Sequence, residues 1–309
     1  MSTEFVKMAF ASLNTNPAWT LQLLRIKNSR REGTSYAGRE ISLFPEGRLN
    51  TFVSEIVDHY TDENRGALKS YTGIWEYDGT TLDKTIYKIK TDNPLIATEY
   101  SDLKEALANP DVESDPLEFG AQAYVLKGTV TIDETDRAVK LISLQKPVTN
   151  LKHKFMKSSG TFKEIDDKVL SLRTSIDVII VDDMVYMLNL AAENLFNMER
   201  AYRATCTAKL DIVKECEIVS DYDTFVTIAG SGHNPRKFVS FNENHLQKLK
   251  NTNSRRKIAK KFNLPLKDDK FDTELKEVSD KLVKILCNRG MVDPFDDEPM
   301  EVAGSKKWE

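Results

Sequence analysis

Ten lysines and arginines and a single glutamate lie between residues 224 and 267 of a 309-residue chain whose formal net charge is −4. That segment carries +9 and the remainder −13, so positive charge is sorted along the sequence. Its densest part reads NTNSRRKIAKKFNLPL, residues 251–266. On a helix, Ile258, Ala259 and Phe262 fall on one side and Arg256, Lys257, Lys260 and Lys261 on the opposite arc. Arg255 stands at the margin, and Ser254 is placed to cap the helix. Cations at that density suit phosphate, because each contact releases condensed counterions. With no helix-turn-helix, zinc-finger or RNP pattern beside them, the chemistry implied is backbone contact, not base readout. A solvated helix face and a surface for an acidic protein or anionic lipid are open readings of the same run.

Other cations extend the pattern. Lys248 and Lys250 precede the run. GSGHNPRK, residues 230–237, places His233, Arg236 and Lys237 beside a Gly-rich turn whose N–H groups suit an anion, although P-loop spacing is absent. An ordinary Asn-Pro turn explains the same residues. KHKFMK, residues 152–157, reads as a strand bearing Lys152 and Lys154, extended by Lys157. It suits either a nucleic-acid groove or protection of a sheet edge.

Carboxylates offer a second chemistry. Asp177, Asp182 and Asp183, with Asp166 and Asp167 upstream and Lys168 beside them, are the acids and the lysine from which a metal-dependent nuclease would be built. Asp182-Asp183 also suits a hairpin tip, where acids are favoured for turn geometry. Four histidines, His59, His153, His233 and His245, lie far apart, and no nucleophile elbow accompanies any serine. The three cysteines form no C-x-x-C pair, which excludes a zinc knuckle and a disulfide framework and suits a reducing compartment. The expectation is a cytoplasmic, non-catalytic protein with no metal or cofactor, a metal-dependent nuclease being the alternative. No signal peptide and no membrane-length apolar window is read.

The elements that would position these residues are mixed. Residues 19–27 predict a strand, and Leu49, Phe52, Val53, Ile56, Val57 and Tyr60 predict an amphipathic helix. Strands are predicted in 82–91, 119–132 and 137–146, with a short helix around 100–108 ending at Asn109-Pro110. Residues 176–189 read as two strands joined at Asp182-Asp183. A long helix is expected over 191–215 and another over 273–288, stopped by Gly290. The fold class expected is α+β, with a domain over 1–150, a second over 151–290 bearing the basic helix, and a flexible acidic tail over 291–309.

The hairpin IDVIIVDDMVYMLN, the helix NLFNMERAYRATCTAKL, the basic RRKIAKKFNL and the closing LCNRGMVDP, in that order, resemble the KwaB family of the Kiwa anti-phage defence system. The resemblance implies a bacterial DNA-binding effector that forms homodimers or higher oligomers. It further implies recruitment to the inner membrane by a small membrane-embedded companion, KwaA. Relatives carry Phe-Glu early in the long helix, where this chain reads Glu193-Asn194-Leu195-Phe196. No catalytic residue is carried over.

Overall fold

The computed structural model describes residues 4–13, 19–29, 33–112, 115–132, 134–150, 154–158, 161–165, 168–293 and 298–302. It is α+β and divides into two compact units, Met1–Glu76 with Asp83–Asn197, and Tyr77–Leu82 with Met198–Glu309.

The first unit contains α1 (Glu4–Ser12), β1 (Thr20–Ser29), β2 (Gly33–Ile41), α2 (Arg48–Thr61), β3 (Gly73–Glu76), β4 (Thr85–Lys90), α3 (Ala97–Ala108), β5 (Ala123–Ile132) and β6 (Thr135–Ser143). After β6 comes a ribbon of β7 (Val148–Asn150), β8 (Lys154–Ser158), β9 (Thr161–Ile165) and β10 (Lys168–Leu170), in which β8 pairs with β9 and β7 with β10. The unit closes with β11 (Val178–Val181), β12 (Met184–Met187) and α4 (Ala192–Leu195).

Eight of these strands form one sheet in the order β2-β1-β5-β6-β11-β12-β4-β3, antiparallel except for the β3–β4 edge. Alternation turns Leu21, Tyr124, Leu126, Val139, Leu141 and Ile179 to one face, where α1 and the Phe52–Val53–Ile56–Val57–Tyr60 stripe of α2 cover them. Phe10 stacks on Tyr60 at 4.1 Å, and the Tyr60 hydroxyl donates to the Ile176 carbonyl. Each such buried side chain contributes about 1.5–3 kcal/mol.

The second unit is mainly helical: α5 (Met198–Glu215), α6 (Tyr222–Ala229), α7 (Asn234–Lys237), α8 (Glu243–Leu249), α9 (Thr252–Lys261), β13 (Leu266–Lys267), β14 (Lys270–Phe271), α10 (Lys276–Leu286), β15 (Gly290–Val292) and β16 (Pro299–Glu301). Its core joins Cys206, Leu210 and Val213 of α5 to Phe225, Leu246, Leu249, Phe271 and the Val278–Leu282–Val283–Leu286 face of α10.

Four expectations are corrected. The division near residue 150 falls inside the first unit, because β11 and β12 complete the sheet begun by β1–β6. The helix expected over 191–215 is broken after Leu195: Phe196 closes α4, and Asn197 takes a left-handed φ of 46° before α5 begins. Asn288, at φ 55°, and not Gly290 takes the left-handed position after α10; Gly290 opens β15. Part of the acidic tail is ordered, since β15 pairs with β16, and Glu301 meets Lys284 at 2.8 Å and Lys237 at 3.5 Å.

Candidate nucleic-acid interface

The basic run forms α9 as its periodicity predicts, but its cap is one turn earlier. The Asn251 side chain accepts the Ser254 N–H at 3.1 Å, so Asn251 is the N-cap and Ser254 the third helical residue. The helix stops where Asn263 adopts φ 50° and the Leu264 N–H bonds back to Ala259. Ala259 and Phe262 are buried and Ile258 half-buried, which seats the helix on its apolar side.

The cations of α9 divide into three kinds. Arg255 is buried, not marginal. Its Nη1 donates to the carbonyls of Leu249 (2.8 Å) and Lys250 (3.1 Å), its Nε to that of Asp269 (2.8 Å), and its Nη2 to the Thr252 hydroxyl (3.2 Å). The guanidinium thus ties the C-terminal end of α8, where a cation is favoured, to the β13–β14 turn. Arg256 is exposed but forms a bidentate pair with the Asp269 carboxylate at 2.8 and 2.9 Å. Lys257, Lys260 and Lys261 are exposed. Lys248 at the end of α8 and Lys250 just after it are exposed as well. Among the described residues, none of these five lysines has a carboxylate within ion-pair distance.

Arg236 and Lys237 are engaged elsewhere. Arg236 lies over the rings of Tyr77 and Tyr202 at 5.9 and 5.8 Å, with Nε 3.2 Å from the Tyr77 hydroxyl, which itself hydrogen-bonds the Tyr202 hydroxyl. Lys237 reaches Glu301. In the Gly-rich turn, the Ser231 hydroxyl and the Asn234 amide both donate to the Ile228 carbonyl, closing the end of α6. Lys154 and Lys157 fall on β8, paired in register with Ile165 and Phe162. Lys152 lies outside the described residues.

The carboxylates are not brought together. Asp177 accepts the Leu144 N–H at 2.5 Å and the Asn189 side-chain amide, which fixes the ends of β6 and β12 to β11. Asp182, at the left-handed tip of the β11–β12 hairpin, pairs with Arg137 at 2.9 Å. The four residues of β11 stand between the two acids, a rise of about 16 Å along the strand. Asp166 and Asp167 lie outside the described residues. Among the described residues no group of three His, Cys, Asp or Glu side chains is placed to hold a metal ion. Burial pushes the Cys206 thiol up to about 11 and raises Cys287 as well, the opposite of what an attacking thiolate needs. No helix among them is long and apolar enough to cross a membrane.

One feature of this surface was not legible from the run of charge. Between α8, α9, α10 and the start of β15 lies a cleft of about 340 Å³, floored by Leu249, Ile258, Phe262 and Ile285 and flanked by Lys248 and Lys257. Its parts come from four elements spread over more than forty residues, so no local pattern announces it.

A family model described as Kiwa protein KwaB-like matches residues 129–292, more than half of the chain. No curated protein and no solved structure matches it.

Proposed function

Because the chain belongs to the KwaB-like family of the Kiwa anti-phage defence system, we propose that it serves that defence as a DNA-binding effector, gripping duplex DNA by its phosphates. The observation that carries this reading is the group of five exposed lysines, Lys248 on α8, Lys250 just after it and Lys257, Lys260 and Lys261 on α9, without carboxylate partners among the described residues. Ammonium groups so placed are available to replace the counterions of a phosphate backbone. The acidic remainder of the chain repels DNA from other surfaces and confines contact to this one. Arg256 sits at the edge of the patch, held in check by Asp269, and Arg255 supports it from within. On the same family grounds the protein works beside the membrane-embedded KwaA at the inner membrane, as a homodimer or higher oligomer.

Fluorescence anisotropy of labelled duplex DNA, titrated at several salt concentrations, tests the reading. Log affinity should fall linearly with log salt, by about 0.9 for each phosphate neutralised. Changing Lys257, Lys260 and Lys261 together to Glu should abolish binding with the fold intact. Asp269→Asn keeps the backbone carbonyl that holds Arg255 but releases Arg256, so it should tighten binding and steepen the slope by about one contact. An unaltered slope in both variants would refute the assignment.

A further inference from the structure

Phosphate contact explains the lysines but not the apolar cleft between them. A duplex presents charge and sugar to such a surface and keeps its bases stacked inside. A concavity of about 340 Å³ lies within the size range of ligand pockets, and its floor is built from aliphatic and aromatic carbon. Leu249, Phe262 and Ile285 are each less than a tenth exposed, so the floor is a fixed part of the core and not a mobile fringe. Among the described residues, no carboxylate lines the cleft. Its occupant must therefore have a flat or apolar body and negative charge close beside it.

We propose that this cleft receives an unpaired base of the bound DNA, with the flanking phosphates on Lys248 and Lys257. The inference rests on the phosphate-binding reading above and deepens it: the favoured substrate is DNA with a single-stranded extension or an unstacked nucleotide, not blunt duplex. An unstacked base has an apolar π-face to lay on Phe262 and Ile258 and a polar edge that needs partners. Two side chains in the lining can supply them. Ser254, in the first turn of α9, and His245 both line the cleft, the His245 ring with Nδ1 3.5 Å from the Ile285 carbonyl. That contact leaves Nε2 as the ring nitrogen for a ligand.

The experiment compares, for the full chain, a blunt duplex with the same duplex carrying a single-stranded extension. The extension should bind about tenfold more tightly, the lower part of the range for one stacked base. Ser254→Phe fills the mouth of the cleft, and Ile258→Ser removes part of its apolar floor. Each should erase that preference while blunt-duplex affinity and its salt slope stay as in the parent, with folding checked by thermal melting. Equal affinity of the parent for both DNAs, or a preference that survives in both variants, overturns the inference and leaves phosphate binding standing. Absence of binding to any DNA overturns the phosphate reading, and this inference with it. Thermal stabilisation by laurate but not by deoxynucleoside monophosphates also overturns it, and assigns the cleft to an acyl chain.

Discussion

Arg255 shows how a charge in a basic run can belong to the fold. Three backbone carbonyls, of Leu249, Lys250 and Asp269, and the Thr252 hydroxyl converge on its guanidinium. Arg255→Ala leaves those buried and part-buried acceptors without their donor, so it should cost about 2–4 kcal/mol in denaturant unfolding. Arg255→Lys should recover little of this, because an ammonium cannot span acceptors arranged for a planar fork. DNA affinity per folded molecule is expected to change less than in the lysine variants. Helical periodicity correctly put Ile258, Ala259 and Phe262 inside and Lys257, Lys260 and Lys261 outside. It could place Arg255 only at a margin, because whether a margin faces water or another segment depends on chain that folds back later. Asp269 is such a residue: it is fourteen positions from Arg255 and thirteen from Arg256, and nothing in the local pattern couples them.

At the scale of elements, strands and helices with a clean period were legible, and their interruptions were not. The apolar stripe through Leu195, Met198, Tyr202 and Cys206 runs on without a gap, yet the helix breaks at Asn197. Side-chain spacing records which face is buried and says nothing of a single left-handed residue. Register creates a second feature hidden from the linear sequence. Lys127 and Lys140 stand directly opposite each other on β5 and β6, and the Lys127 ammonium reaches the Leu107 carbonyl at the end of α3 at 3.0 Å. Burial, and then the charges of Lys104 and Lys127, lower the pKa of Lys140, with Asp182 opposing them. A lysine depressed in this way binds its proton less well folded than unfolded. Its penalty is complete below the folded pKa and is relieved as pH rises toward the ordinary value of 10.5. Lys140→Met should therefore stabilise the protein at neutral pH by about 0.5–1 kcal/mol. Melting curves across rising pH should show that gain shrinking toward zero; a constant gain would mean that packing and not charge is responsible.

For the molecule as a whole, the α+β class and the family were legible in the sequence, whereas the partition into units was not. The family match at residues 129–292 itself crosses the division at Asn197. Contiguity hid the reason: six residues between β3 and β4, Tyr77–Leu82, belong to the helical unit. There the Tyr77 hydroxyl accepts from Arg236 Nε and hydrogen-bonds the Tyr202 hydroxyl, and Arg289 donates to the Asp78 carbonyl at 2.9 Å. Tyr202 and Arg289 are almost wholly buried, so removing their partners strands polar groups inside the unit. A fragment of residues 198–309 should accordingly unfold at a lower denaturant concentration than the same unit in the full chain. Indistinguishable midpoints would show the six residues to be dispensable.

That excursion bears on how the gene can change. Recombination between related genes exchanges contiguous segments, and a helical unit encoded downstream of residue 197 looks like a ready cassette. It is not one. A crossover at that point delivers a recipient whose Tyr202, Arg236 and Arg289 must find partners in a loop inherited from the other parent. Variation at residues 77–82 is thereby tied to variation more than a hundred codons away, and lineages that trade the distal part should carry a matching loop with it.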